Sequence, residues 1–321
     1  MNSTPSIISR VADGVLEASI IGSFSRIGYQ TRQRLADWDT YNDMTGKVVL
    51  VTGATSGLGE ATATTLARLG ATVHFLARNE SRAELALERI QNASGSNLVS
   101  YGLADLSDLA SVAEFAREVL EHHNRLDVLV HNAGALHREF ARSPQGVEQT
   151  IASHVLAQFE LTTMLLPILG QGSRVITVSS GGMYTQKLDL DHAEMSESEY
   201  DGVVAYARAK RIQVALNGAW AERHNRDGIM FSVMHPGWAA TPGVDSSLPG
   251  FAKVMRSLLR TSAQGADTTI WLATANNIPQ AEHGIWLDRK LRWEHKLPWT
   301  RSSNEHERAW SWCRQRLETS R

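Results

Sequence analysis

The sequence predicts an α/β protein built on a doubly wound parallel sheet, on three observations. From residue 47 onward, short β-branched apolar runs alternate with amphipathic stretches for about 190 residues, the pattern of repeated strand–helix units. A glycine-rich turn sits directly between the first apolar run and the first helical stretch. The bulk composition is that of a folded domain, with 42% hydrophobic and 21% charged residues in 321.

The elements follow in order. Residues 1–45 are expected to form a helical arm. Ile7, Val11, Val15 and Ile20 keep helical spacing, with Arg10, Asp13 and Glu17 between them and Arg26, Arg32 and Arg34 after them. Such an arm would pack on the body or on a neighbouring subunit; a weak membrane-surface helix is the alternative. Residues 46–290 form the main domain. Its strands are expected at 47–52, 71–77, 97–104, 126–131, 174–179, 229–234 and 284–288. Its helices are expected at 60–69, 81–91, 107–122, 146–169, 200–223 and 265–275, with Gly70 after the first and a Ser107 cap before the third. The tail, 291–321, reads as tryptophan-rich and irregular.

Composition narrows the partners. A net charge of −2 leaves no basic excess for nucleic acid. A single cysteine, Cys313, forbids an internal disulfide and fits a reducing, cytoplasmic setting. No run of 18 uncharged apolar residues occurs, and the start lacks the charged-then-apolar pattern of a signal peptide. No metal-ligand spacing is evident, and no metal centre is expected.

The first strand ends in Thr52-Gly53-Ala54-Thr55-Ser56-Gly57-Leu58-Gly59. Glycines there let backbone approach a pyrophosphate, and the next helix offers unpaired N–H groups and a favourable dipole. Strand before and helix after are the context this motif needs. At the end of the second strand, where an NAD-specific site places a carboxylate, the sequence has Ala77-Arg78-Asn79. A guanidinium pairs with a 2′-phosphate, so NADP(H) is favoured over NAD(H).

Tyr206 has a lysine four residues on, Lys210, so the two share a helix face. A free phenol titrates near ~10 and is a poor base at neutral pH. A nearby ammonium and an oxidised nicotinamide both favour the phenolate, which suits proton exchange with an alcohol or alkoxide. Ser180, with Ser179 as competitor, ends a strand at the sheet's C-terminal edge and could hold the substrate oxygen.

Thr52-Gly53-x3-Gly57-x-Gly59, Asp105-Leu106, Asn132-Ala133-Gly134, Ser180, Tyr206-x3-Lys210 and Pro236-Gly237 occur in the order of the short-chain dehydrogenase/reductase family. The chain resembles that family over residues 46–290, and its finer texture resembles the branch near the retinol-dehydrogenase-like reductases. The resemblance implies a Rossmann fold. It implies that Gly53, Thr55, Ser56, Gly57, Leu58 and Gly59 line the pyrophosphate and that Asp105 and Leu106 contact the adenine. Asn132, Ala133 and Gly134 would support the cofactor. Pro236, Gly237 and Thr241 would frame the nicotinamide, and Lys210 would bind its ribose while lowering the Tyr206 pKa. Where the family often has an asparagine that holds a proton relay, this chain has His154, which can substitute or merely pack.

The implied activity is carbonyl/alcohol interconversion; a cofactor-binding regulator or scaffold without catalysis is the alternative. Met183, Tyr184, Trp238, Trp286 and Trp293 suggest an aromatic-lined pocket for a hydrophobic substrate. Trp299, Trp310 and Trp312 are expected to pack the tail. The 189–200 insertion is expected at the pocket rim or in solvent. A homo-oligomer is expected from the family.

Overall fold

The computed structural model describes residues 7–36, 38–240, 249–279, 281 and 283–320. Eight strands form one sheet: β1 (Val48–Thr52), β2 (Thr72–Ala77), β3 (Val99–Leu103), β4 (Val128–His131), β5 (Arg174–Val178), β6 (Met230–Met234), β7 (Ile285–Leu287) and β8 (Lys290–Arg292). Their order is β3-β2-β1-β4-β5-β6-β7-β8. Strands β1 to β7 pair in parallel, and β8 closes the edge antiparallel to β7. Chain order reverses between β1 and β4, so a crevice opens at their C-terminal ends.

The expected strands are found within one or two residues of their ends, and β8 is additional. The β7–β8 turn holds Asp288 and Arg289 at φ +52° and +57°. A two-residue hairpin needs this left-handed backbone and usually takes glycine or asparagine. Here ion pairs hold it: Arg260 and Arg32 grip Asp288, and Arg289 grips Asp267.

Three short helices precede the sheet: α1 (Ile7–Ala18), α2 (Ile20–Phe24) and α3 (Arg26–Ala36). Next come α4 (Gly57–Arg68), α5 (Glu80–Ser94), α6 (Leu109–His122), α7 (Gln149–Ile151), α8 (Ala157–Leu165), α9 (Gly202–His224), α10 (Pro249–Met255), α11 (Ser262–Thr274) and α12 (Glu305–Glu318). One apolar layer lies between the sheet and α4, α5 and α11, centred on Val49, Val51, Leu66, Phe75 and Ile270. The other lies beneath α6, α8, α9 and α12, centred on Leu129, Leu156, Phe159, Ile212 and Trp220. The run Gln149–Ile168 is long and apolar enough to cross a membrane, but 67% of it is buried inside the fold, where it packs as a core helix.

Three expectations are corrected here. The arm does pack on the body, but its apolar stripe does not make the contact: Val11 and Val15 are 61% and 68% exposed. The anchoring surface is ionic and aromatic instead. Asp13 accepts from Arg32 and Arg292, Glu17 pairs with Lys296, and Arg32 reaches Asp288 at 2.7 Å. Phe24 and Tyr29 are buried. The tail is not irregular; α12 spans 14 residues and buries Ala309, Cys313 and Leu317, one stripe at four-residue spacing. Trp310 and Trp312 pack it on the body as expected, but Trp299 is 69% exposed. Helix α6 is capped by Asp108, which accepts from the Ala110 amide, rather than by Ser107.

Candidate active site

The crevice at the β1/β4 switch point continues into a cleft of about 1000 Å³. Its floor is the glycine loop. Gly53 has φ +70°, and a Cβ there would meet the Ala133 Cα at 2.7 Å. A Cβ at Gly59 would run into the Gly53 carbonyl and the Asn132 amide. Both positions demand glycine for packing before any ligand is considered. This closeness also starts α4 at Gly57, three residues before the sequence suggests. Ser56 precedes α4 without a side-chain cap bond, so the first-turn amides point unclaimed into the cleft. Asn132 donates to the Thr52 and Gly53 carbonyls at 3.0 and 3.1 Å, and the Ala133 amide donates to Thr52 Oγ1. The loop is thus fastened to β4, and the Thr55 carbonyl is fastened to α5 through Arg89. The residues present fit a pyrophosphate, since the loop and the α4 N-terminus face the cleft with backbone amides and a favourable dipole.

Gly53, Thr55, Ser56, Gly57, Leu58, Arg78, Asp105, Leu106, Asn132, Ala133, Gly134 and His154 all line the cleft. Arg78 stands at its adenosine end, 3.9 Å from Asp105. Arg82 also lines this end, and the sequence reading missed it. Its signal was a second cation four residues after Arg78, placed at the start of α5 by the Asn79 cap. His137, from a loop with no local pattern, and Gln149, the first residue of α7, were missed as well.

Ser180, just past the end of β5, and Tyr206 and Lys210, on α9, form a separate cluster that is not among the residues lining this cleft. Ser180 starts a 3₁₀ turn, Gly181–Thr185, its hydroxyl accepts from the Gly182 amide at 3.4 Å, and it stands beside the half-buried Tyr206 phenol closely enough to favour the phenolate. Ser179 is buried and donates to the Lys210 carbonyl at 3.1 Å, which removes it as competitor. Lys210 Nζ donates to the Val178 carbonyl at 2.9 Å and lies 5.3 Å from the Tyr206 ring centre. Burial pushes the Lys210 ammonium down to about 7. Burial also pushes the Tyr206 phenol up to about 12, against the opposing Ser180 hydrogen bond. Desolvation penalises the phenolate more than the Ser180 hydroxyl favours it, and Lys210, expected to lower this pKa, is not among the groups that do.

His154 lies in a π-helical turn, Ala152–Leu156, between α7 and α8. Its Nδ1 bonds the Thr150 carbonyl at 2.9 Å, so Nδ1 carries the proton. Nε2 is buried without a hydrogen-bond partner. A Cβ built on Gly134 would be 3.2 Å from that nitrogen and 3.3 Å from Lys210 Nζ, so the two nitrogens flank one point. Burial first, then the Lys210 charge, keep the imidazole neutral.

The nicotinamide-side turn is shaped by the arm. Gly237 has φ +71°, and a Cβ there would meet both the Arg260 guanidinium and the Phe24 carbonyl. That carbonyl accepts from the Trp238 amide at 2.8 Å. The Phe24 ring fills the space beside Gly181 and clusters with Met183, Tyr184 and Trp238. Trp286 is not a lining residue: it is buried in the sheet against Trp271. Trp293 is 81% exposed. The 189–200 insertion buries Leu190 and Ala193, so it is more than a solvated loop. Thr241 lies outside the described residues.

A family model described as short chain dehydrogenase matches residues 47–249. The chain belongs to the short-chain dehydrogenase/reductase family and is an NAD(P)-dependent oxidoreductase. Within the family it is similar to "Dehydrogenase/reductase SDR family member 12" of Bos taurus, 40% identical over 285 residues, covering 88% of this chain and 89% of the relative. It is also similar to "Retinol dehydrogenase 11" of Mus musculus, 30% identical over 257 residues, covering 77% and 79%. Among solved structures, a short chain dehydrogenase from Burkholderia cenocepacia J2315 in complex with NADP aligns with a TM-score of 0.58 and 25% identity, covering 75% of this chain and 94% of that one.

Proposed function

We propose that this protein is an NADP(H)-dependent oxidoreductase that interconverts a hydrophobic ketone or aldehyde with its alcohol. The observation that carries the reading is the Ser180–Tyr206 hydroxyl pair at the sheet's C-terminal edge, with Lys210 one helical turn away. Bound in the cleft, the nicotinamide cofactor supplies or accepts the hydride. Tyr206 holds a proton at neutral pH and can deliver it to the oxygen of a forming alkoxide; in the reverse direction its phenolate takes that proton back. Ser180 orients the substrate oxygen toward the phenol. Lys210 sits within reach of both Tyr206 and the cleft and can return the proton. Arg78 and Arg82 favour a 2′-phosphate at the adenosine end. The retinol-named relatives support a hydrophobic substrate, whereas Met183 and Tyr184 are packed in the core against Phe24. A cytoplasmic setting and a homo-oligomer complete the proposal.

The test is cofactor turnover across a panel of hydrophobic carbonyls. Tyr206→Phe should lower kcat by about 10²- to 10⁴-fold while NADPH binding changes little, the scale of a lost general acid. Turnover equal to an active wild type would defeat the Tyr206 assignment, and no turnover by wild type on any carbonyl would support the non-catalytic regulator. In the same assay Arg78→Ala with Arg82→Ala should shift the kcat/KM ratio at least tenfold from NADPH toward NADH. An unchanged ratio would defeat the cofactor assignment.

A further inference from the structure

Away from the cleft, three side chains distant in sequence meet where α12 docks on α9. Glu222 lies in the last turn of α9, His283 just before β7, and His306 in the first turn of α12. Their ligand-capable atoms all lie within 4.8 Å of one another. His306 Nδ1 is 2.6 Å from Glu222 Oε1, and the His283 ring stacks on the His306 ring with centres 4.6 Å apart. We propose that Glu222, His283 and His306 bind a divalent cation of the zinc type, which staples the tail helix to the body.

The donor set selects the ion. Two imidazoles and one carboxylate suit Zn²⁺ and its neighbours Co²⁺ and Ni²⁺, whereas Mg²⁺ and Ca²⁺ want oxygen ligands. His306 and Glu222 already meet through a hydrogen bond whose proton a bound cation would replace. Gly218 stands one turn before Glu222 on α9, and a Cβ there would run into the His306 ring. The imidazole therefore sits in a hollow that only glycine leaves, with Nδ1 turned to the carboxylate.

The third ligand is oriented from behind. His283 Nδ1 is 3.5 Å from Glu294 Oε1, and the other Glu294 oxygen accepts from the Gly284 amide at 3.1 Å. A histidine backed by a carboxylate on one nitrogen presents the other to a metal, the usual supporting arrangement. Zinc ligands at about 2.0–2.2 Å from the ion stand closer together than the 4.8 Å span here. Closing that gap requires the 67%-exposed His283 side chain to shift from its stacked position on His306 toward the other two ligands. The exposed face leaves room for water as a fourth ligand. Unfolding would scatter the three segments, so bound metal would stabilise the native state.

The experiment uses full-length, tag-free protein stripped with a chelator. Zinc chloride is titrated by calorimetry, and thermal unfolding is followed with and without zinc. Wild type should bind one equivalent saturably and melt several degrees higher with zinc, and magnesium should do neither. His283→Ala changes an exposed residue remote from the cleft. It should keep basal oxidoreductase activity yet lower zinc affinity at least tenfold and abolish the melting shift. Cobalt should give visible bands of a low-coordinate site in wild type but not in His283→Ala. Glu222→Gln should weaken zinc binding likewise. Absence of one-equivalent binding in wild type would overturn the proposal, as would undiminished zinc affinity in His283→Ala.

Discussion

The imidazole of His154 is held on one side and bare on the other. Thr150 accepts its Nδ1 proton, and its own main-chain carbonyl is taken by Gln213 Nε2 at 2.7 Å. What remains to face Lys210 is the Nε2 lone pair, in a place where the family resemblance puts an asparagine. A π-turn is a costly local geometry that recurs at functional sites, and here it carries this residue. We propose that His154 acts through Lys210 as a positioning and relay group. His154→Leu should lower kcat by about 10- to 100-fold, the scale of losing a supporting group, with NADPH affinity unchanged. His154→Asn should recover part of that loss. A mutant that loses affinity and kcat together would mean that the histidine only packs.

At the scale of elements, the N-terminal arm is built into the packing of the loop after β6 and the β7–β8 turn. Arg32 and Arg260 are both almost fully buried and converge on Asp288 at 2.7 and 2.6 Å. Arg260 also donates to the Phe24, Ser23 and Pro236 carbonyls, so one guanidinium joins the arm, the β7–β8 turn and the nicotinamide-side loop. Asp13 gives the same picture. Burial opposes its charge, but hydrogen bonds from Arg292, Lys290 and Arg32 outweigh that and hold the carboxyl well below the usual range. Removing the shared anion leaves two buried cations facing each other. Asp288→Ala should therefore cost about 3–5 kcal/mol in urea unfolding. A loss under about 1 kcal/mol would show that water already screens the network.

For the whole molecule, the buried Lys210 sets a readable dependence of stability on pH. In the unfolded chain a lysine keeps its proton to about 10.4; in the fold Lys210 releases it above about 7. Between these values the unfolded state binds more protons, so stability rises with pH, and the burial penalty is complete below about 7. Tyr206 acts oppositely and higher: its raised pKa, about 12, favours the fold below 10 and loses that contribution from 10 to 12. The buried Cys313 thiol, which burial pushes up, opposes the Lys210 rise above about 8.5, so Lys210 is isolated by comparing wild type with a Lys210 variant that keeps Cys313. Lys210→Met should be more stable than wild type near pH 6.5, with the difference shrinking steadily toward pH 10 in guanidinium titrations. A gap independent of pH would show that the ammonium is not desolvated.

The sequence by itself determined the strand–helix alternation, the glycine cradle and the Tyr206–Lys210 pair. Each is encoded within a few neighbouring residues, by hydrophobic period, by positions that exclude a Cβ, and by i,i+4 spacing. The α12 stripe of Ala309, Cys313 and Leu317 is equally local, but the tryptophans and charges between its members masked it. Tertiary structure alone decided the rest. Trp286 became core rather than pocket because β7 enters the sheet beside β6. The arm turned its apolar stripe outward because buried ion pairs hold its other face. Burial raised the Tyr206 pKa where spacing suggested a lowering, since desolvation is a property of the surroundings and not of the motif. Glu222, His283 and His306 met only on folding. Contacts of this kind depend on which distant segments touch and how much water they exclude, and no short stretch of sequence records either.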